Sequence, residues 1–182
     1  AAMLHALVHI ESIAVDLAWD IIARFGSSNN MPKEFYDDFV KVAQDEARHH
    51  TMLHSRLKEL GYKYGDLPGH DGLWESALKT SKSLLARLAI EHMVHEASKF
   101  KKKEKRNKNI QLMLIFFCKK GGLDVTPKTI ERFKSAGDKK SALLLVDILE
   151  EEITHVTVGQ KWFSYQCKLN NEDPVSTFID IV

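Results

Sequence analysis

Apolar residues recur at helical spacing along nearly the whole chain and almost nowhere alternate with period two, so this sequence calls for helices packed on helices, without a sheet. Leu4, Leu7, Val8, Ile10, Ile13, Ala14, Leu17, Ala18, Ile21 and Ile22 give a first helix over 3–25, closed by the turn residues Gly26-Ser27-Ser28-Asn29-Asn30. Pro32 stands where a first helical residue would. Phe35, Phe39, Val42, Ala43, Ala47, Leu53 and Leu57 then carry a second helix over 32–60, ended by Gly61. Residues 61–72 hold four glycines, a proline and no helical period, and predict a loop long enough to cross over a bundle. A third helix is predicted from Leu73 to Phe100. Thr126-Pro127 opens a short helix ending at Gly137, and Asp138 caps a last long helix running to about Leu169. Four long helices and one short one make an all-α bundle, read as a single domain over 1–182.

A chain of 182 residues can bury a sizeable core, and 44% hydrophobic residues is not a disordered composition. A formal net charge of +1 gives no bias toward nucleic acid or an anionic membrane, and no nucleic-acid partner is expected. Cys118 and Cys167 match no metal or redox spacing, which points to a reducing compartment and a cytoplasmic location. Residues 1–10 lack the charged start of a signal peptide, and the longest apolar run, Leu112 to Cys118, is too short to span a bilayer. The chain opens without Met and inside a helical pattern, as a piece of a longer protein would. One segment breaks the pattern: KFKKKEKRNKN at 99–109, then IQLMLIFFCKK. Residues 99–120 read as an atypical insertion, a solvated loop in preference to a basic anchor or to translated non-coding sequence.

Glu46-Ala47-Arg48-His49 and Glu152-Ile153-Thr154-His155 carry the chemistry. Residues i and i+3 share one face of a helix, so each Glu-x-x-His pair can reach one point. Roughly 0.6 such pairs would arise by chance in this composition, so one alone means little. Two, both within long helices and among apolar residues, mean more. A charge on a buried face needs a partner or a metal. A two-metal bundle site also needs a glutamate from each of two further helices. Helix one offers Glu11, bracketed by apolar residues on both sides, with Asp16 and Asp20 as alternatives. Helix three offers Glu91 and Glu96, five positions apart and pointing in different directions. His92 and His95, beside them, could be extra ligands but read in preference as surface groups or as supports for the ligands. Asp45, Arg48 and Asp147 are further candidates for support. Four carboxylates with two imidazoles suit two divalent ions, Fe or Mn in preference to a closed structural zinc site.

The strings HIESIAVDLAWD, MPKEFYDDFVKVAQDEARHHTMLHSRLKELGYKYGDLPGHDGLWE, GLDVTPKTIERFKSAGD and EEITHVTVGQKWFSYQC resemble a ferritin-like family catalogued as domain of unknown function 455. The resemblance covers roughly 1–98 and 121–178. It implies a ferritin-like four-helix bundle with a di-metal centre. Its pattern falls on Glu11, on Glu46 and His49, and on Glu152 and His155. The third-helix glutamate falls on Glu96, in His-Glu-Ala, although the 99–120 insertion displaces its link to Gly121-Gly122-Leu123. The family's N-terminal region and last segment are missing from this chain.

The expected function is a di-iron or iron/manganese protein that activates O₂ or peroxide against a small-molecule substrate, an oxidase or hydroxylase. The alternatives are metal handling or peroxide scavenging, and a non-catalytic bundle with a structural or degenerate site. No membrane span is expected, and a homodimer is allowed.

Overall fold

The computed structural model describes residues 1–95 and 127–182. The 99–120 insertion, Glu96, Cys118 and the far end of the predicted third helix lie outside the described residues. Among the described residues there are helices and no strands. In chain order they are α1 (Ala2–Ile21), α2 (Lys33–Glu59), α3 (Gly72–Lys79), α4 (Leu84–Ala89), α5 (Pro127–Ser135), α6 (Lys139–Asn170) and α7 (Pro174–Ile181). α1 runs on into a π-helical turn, Ile22–Gly26, and α4 into another, Ile90–His95. None of the described helices is long and apolar enough to cross a membrane.

The ends of these helices follow ordinary capping chemistry. Asp138 accepts a bond from Ser141 N at the start of α6, and Asn171 ends α6 in the left-handed conformation, φ 57°. Asp173 caps α7 and Pro174 opens it, a short helix beyond the predicted Leu169 boundary. The predicted continuous helix over 73–100 is divided instead. Thr80 turns its hydroxyl back onto Ala77 O, and Ser83 adopts an extended backbone and accepts from Ala86 N, which restarts the helix as α4. The hydroxyls of Thr80 and Ser83 compete with the backbone ladder and break it.

α3 is held down by a buried arginine. Arg87 on α4 donates to Thr80 Oγ1 at 2.8 Å and to Ala77 O at 2.7 Å, and pairs with Asp20 on α1. The loop before α3 is tied to α1 by two histidines. His5 Nε2 accepts from Gly65 N at 3.0 Å, and His9 bonds the Tyr64 hydroxyl at 2.7 Å.

Apolar packing falls into two large clusters at opposite ends of the bundle. One gathers Ile21, Phe25, Phe35, Phe39, Leu88, Met93, Trp162, Phe163 and Phe178. The other gathers Leu4, Leu7, Leu53, Leu57, Phe133, Leu145 and Ile148. α1 contributes its late residues to the first and its early residues to the second, and α2 does the reverse, so the two run antiparallel. Between these clusters α1, α2 and α6 turn Glu11, Asp45, Glu46, His49, Glu152 and His155 inward, all buried. The bundle has a charged waist between two apolar ends.

Candidate metal centre

The waist is built from two copies of one motif on antiparallel helices. His49 Nδ1 lies 3.3 Å from Glu46 Oε2 on its own helix and 3.3 Å from Glu152 Oε1 on α6. His155 Nδ1 lies 3.0 Å from Glu152 Oε2 on its own helix and 3.1 Å from Glu46 Oε1 on α2. Each glutamate therefore spans both imidazoles, one oxygen to each. The two rings stand 5.9 Å apart between centroids. Glu11 joins from α1, its Oε2 3.6 Å from His49 Nδ1. One donor atom from each of Glu11, Glu46, His49 and Glu152 falls within 4.8 Å of the others, and this buried group could hold a metal ion.

The outer nitrogens also face carboxylates, that of His49 within hydrogen-bond distance. His49 donates from Nε2 to Glu151 Oε2 at 2.8 Å, and His155 Nε2 sits 3.6 Å from Asp45 Oδ2. Asp45 precedes Glu46 on α2, and Glu151 precedes Glu152 on α6. The acid beside each motif thus faces the histidine of the other motif. A carboxylate on the far nitrogen fixes a histidine's orientation and makes its near nitrogen a better ligand. Arg48 pairs with Glu151 and lies 3.6 Å from Asp45, joining the two braces. Lys41 adds a second cation on Asp45.

Protonation follows from this crowding. Burial disfavours charge on His49, but hydrogen bonds to Glu11, Glu152 and Glu46 outweigh it and push the imidazole up to about 12. His155 is likewise raised, to about 11, by Glu152 and Glu46 against the cost of burial. Burial and the Glu152 charge both push the Glu46 carboxyl up, yet its bonds with Glu11, His155 and His49 bring it well below its ordinary range. Without metal, two imidazolium cations stand in for external positive charge.

The third-helix side is supplied by the π-helical turn. Glu91, His92 and Met93 are consecutive and all buried. Burial raises the Glu91 carboxyl above its ordinary range, with His95, Ser76 and Arg87 opposing. Ser76 on α3 donates to Glu91 Oε1 at 2.9 Å, while Glu91 Oε2 has no hydrogen-bond partner among the described residues. Glu91, His92 and Glu46 line one small cavity of about 20 Å³ with Ala14, Leu17, Val42 and Leu73. That is room for a single water. His92, driven down to about 3 by burial and by the Arg87 and His155 charges, is neutral at physiological pH.

Of the residues singled out in the sequence, Glu11, Glu46, His49, Glu152 and His155 come together. Glu96 lies outside the described residues, and Glu91, its alternative, faces the same cavity as Glu46. Of the other helix-one acids, Asp20 is engaged by Arg24 and Arg87, and Asp16 is exposed. Asp45 faces His155 and Arg48 lies beside Asp45, whereas Asp147 is exposed. Glu151 was not singled out, although an acid directly before both Glu-x-x-His pairs was a readable signal. Ser76 carried no signal, because only the separate α3 places it over Glu91.

Residues 1–113 and 113–182 match the family described as "Protein of unknown function (DUF455)". A Haemophilus influenzae (strain ATCC 51907 / DSM 11121 / KW20 / Rd) protein, described as "Uncharacterized protein", is 32% identical over 188 aligned residues, covering 100% of this chain. The chain spans 57% of the length of that relative. No solved structure matches the chain.

Proposed function

The chain belongs to the DUF455 family, and from that premise we propose that its charged waist is a ferritin-like di-metal centre serving an oxidase or hydroxylase. The observation that carries this reading is the pair of spanning carboxylates. Glu46 and Glu152 each offer one oxygen beside His49 Nδ1 and the other beside His155 Nδ1. Two ions placed beside those nitrogens would be bridged by both. Glu11 would complete the set on the His49 side and Glu91 on the other. Four carboxylates then balance two divalent ions, and the imidazoles give up the protons they hold without metal.

The donor set suits iron, or iron with manganese. Such ions, when bound, supply the electrons that reduce O₂ or peroxide. The chain's own contribution is placement. Glu151 and Asp45 hold the two rings, and the apolar ends keep water from the waist. Leu17, Val42 and Leu73 give the water-sized cavity beside Glu46 an apolar wall.

The test is direct. Chain purified without added metal is titrated anaerobically with Fe(II) and then exposed to O₂. About two iron ions per chain are expected, with near-ultraviolet absorption of an oxidised iron pair appearing on exposure. The double variant Glu46→Ala/His49→Ala should lose both. Uptake of no iron by the unaltered chain, or unchanged uptake by the double variant, would overturn the proposal.

A further inference from the structure

We infer that His92 supplies a third imidazole nitrogen to this centre, on the ion that Glu91 serves. The assignment rests on the di-metal reading above but reaches beyond its six ligands. His92 is 6% exposed, and its Nε2 has no hydrogen-bond partner among the described residues. A buried ring nitrogen without a partner is unfavourable unless something unshown occupies its lone pair. His92 lines the same small cavity as Glu46 and Glu91, two prospective ligands.

The backbone holds the ring in that place. Gly159 lies one helical turn beyond His155 on α6. A Cβ there would fall 2.3 Å from the His92 carbonyl oxygen, a distance no side chain tolerates. The missing side chain lets the π-helical turn press directly against the helix that carries His155. On the other side Phe39 meets the ring edge to face, 4.9 Å between centroids. Glu91 and His92, neighbours in sequence on the π-helical turn, both line the one cavity.

The consequence is an unequal pair. One ion would take a single imidazole, from His49. The other would take two, from His155 and His92. Nitrogen-rich coordination shifts the second site's metal preference relative to the first.

Proton NMR of the full chain loaded with Co(II) reads this directly, because each ligating histidine gives one strongly shifted ring N–H resonance. Three such resonances are expected, and two would overturn the assignment. His92→Phe keeps the aromatic contact with Phe39 and removes both nitrogens. It should retain the circular dichroism of the parent, lose one resonance, and bind the second Co(II) roughly 100-fold more weakly. Unchanged binding of both ions by His92→Phe would overturn the assignment while leaving the di-metal centre intact. Failure of the unaltered chain to take up a second Co(II) would overturn both together. If His92→Phe does not fold, the resonance count in the unaltered chain decides alone.

Discussion

The apolar ends and the charged waist of this bundle are held together in opposite ways. At the ends, Phe35, Leu53, Leu57 and Phe163 are fully buried and ask only for volume and shape. At the waist, the same burial is applied to Glu11, Glu46, His49, Glu152 and His155, and each of those groups loses hydration that apolar neighbours cannot return. The ends stabilise the bundle whatever lies between them. The waist is tolerable only when its charges cancel, by two imidazolium protons or by two ions. One fold thus contains a part that makes it stable and a part that makes it useful.

That contrast can be broken at either part. Phe35→Ala at one end and Leu53→Ala at the other should each cost about 2–5 kcal/mol, read by urea unfolding, with metal stoichiometry unchanged. Loss of metal from either variant would mean that the ends and the waist are not separate. Gly159→Ala touches the boundary. Its methyl collides with the His92 backbone, so a cost of about 1–3 kcal/mol is expected, together with weaker metal binding in the same protein. A loss of stability with full metal affinity would confine the effect to packing.

The smallest effect is in pH and separates the two ways of balancing charge. His49 and His155 have folded-state values near 12 and 11, above the ordinary imidazole range. Their contribution to the metal-free fold is therefore complete below about pH 6.5 and is lost as pH rises toward those values. Thermal melts of chelated protein should show stability falling by roughly 1 kcal/mol for each of the two imidazoles from pH 6.5 to 7.5. Metal-loaded protein should not show this fall, because the ligating rings carry no proton to release. Metal affinity itself should rise with pH over the same interval.

Much of this contrast was written in the sequence. Helical spacing placed α1, α2 and α6 within a few residues, because long amphipathic runs with clear caps leave few choices. The paired Glu-x-x-His motifs pointed to the waist, since i and i+3 share a face in any regular helix. The third helix was not legible in the same way. Its break at Thr80–Ser83 depends on local side-chain bonding that outcompetes the apolar pattern. Its π-helical turn shifts the facing of every later residue, so Glu91 and Glu96 could not be ordered by counting in steps of 3.6. For Glu151 the acid before each motif was readable, but its partner was not: His49 is 102 residues away, and only the antiparallel pairing of α2 and α6 joins them.

The crossed acids have a mechanical consequence. Because Glu151 of α6 grips His49 of α2, while Asp45 of α2 faces His155 of α6, neither rod can slide past the other without both grips failing at once. A slip of one residue would carry a ring about 1.5 Å along the axis and turn it by about 100°. Greasy contacts would forgive such a slip, since one leucine replaces another at little expense. The crossed pairs would not, and so the charged waist sets the alignment of the two longest rods.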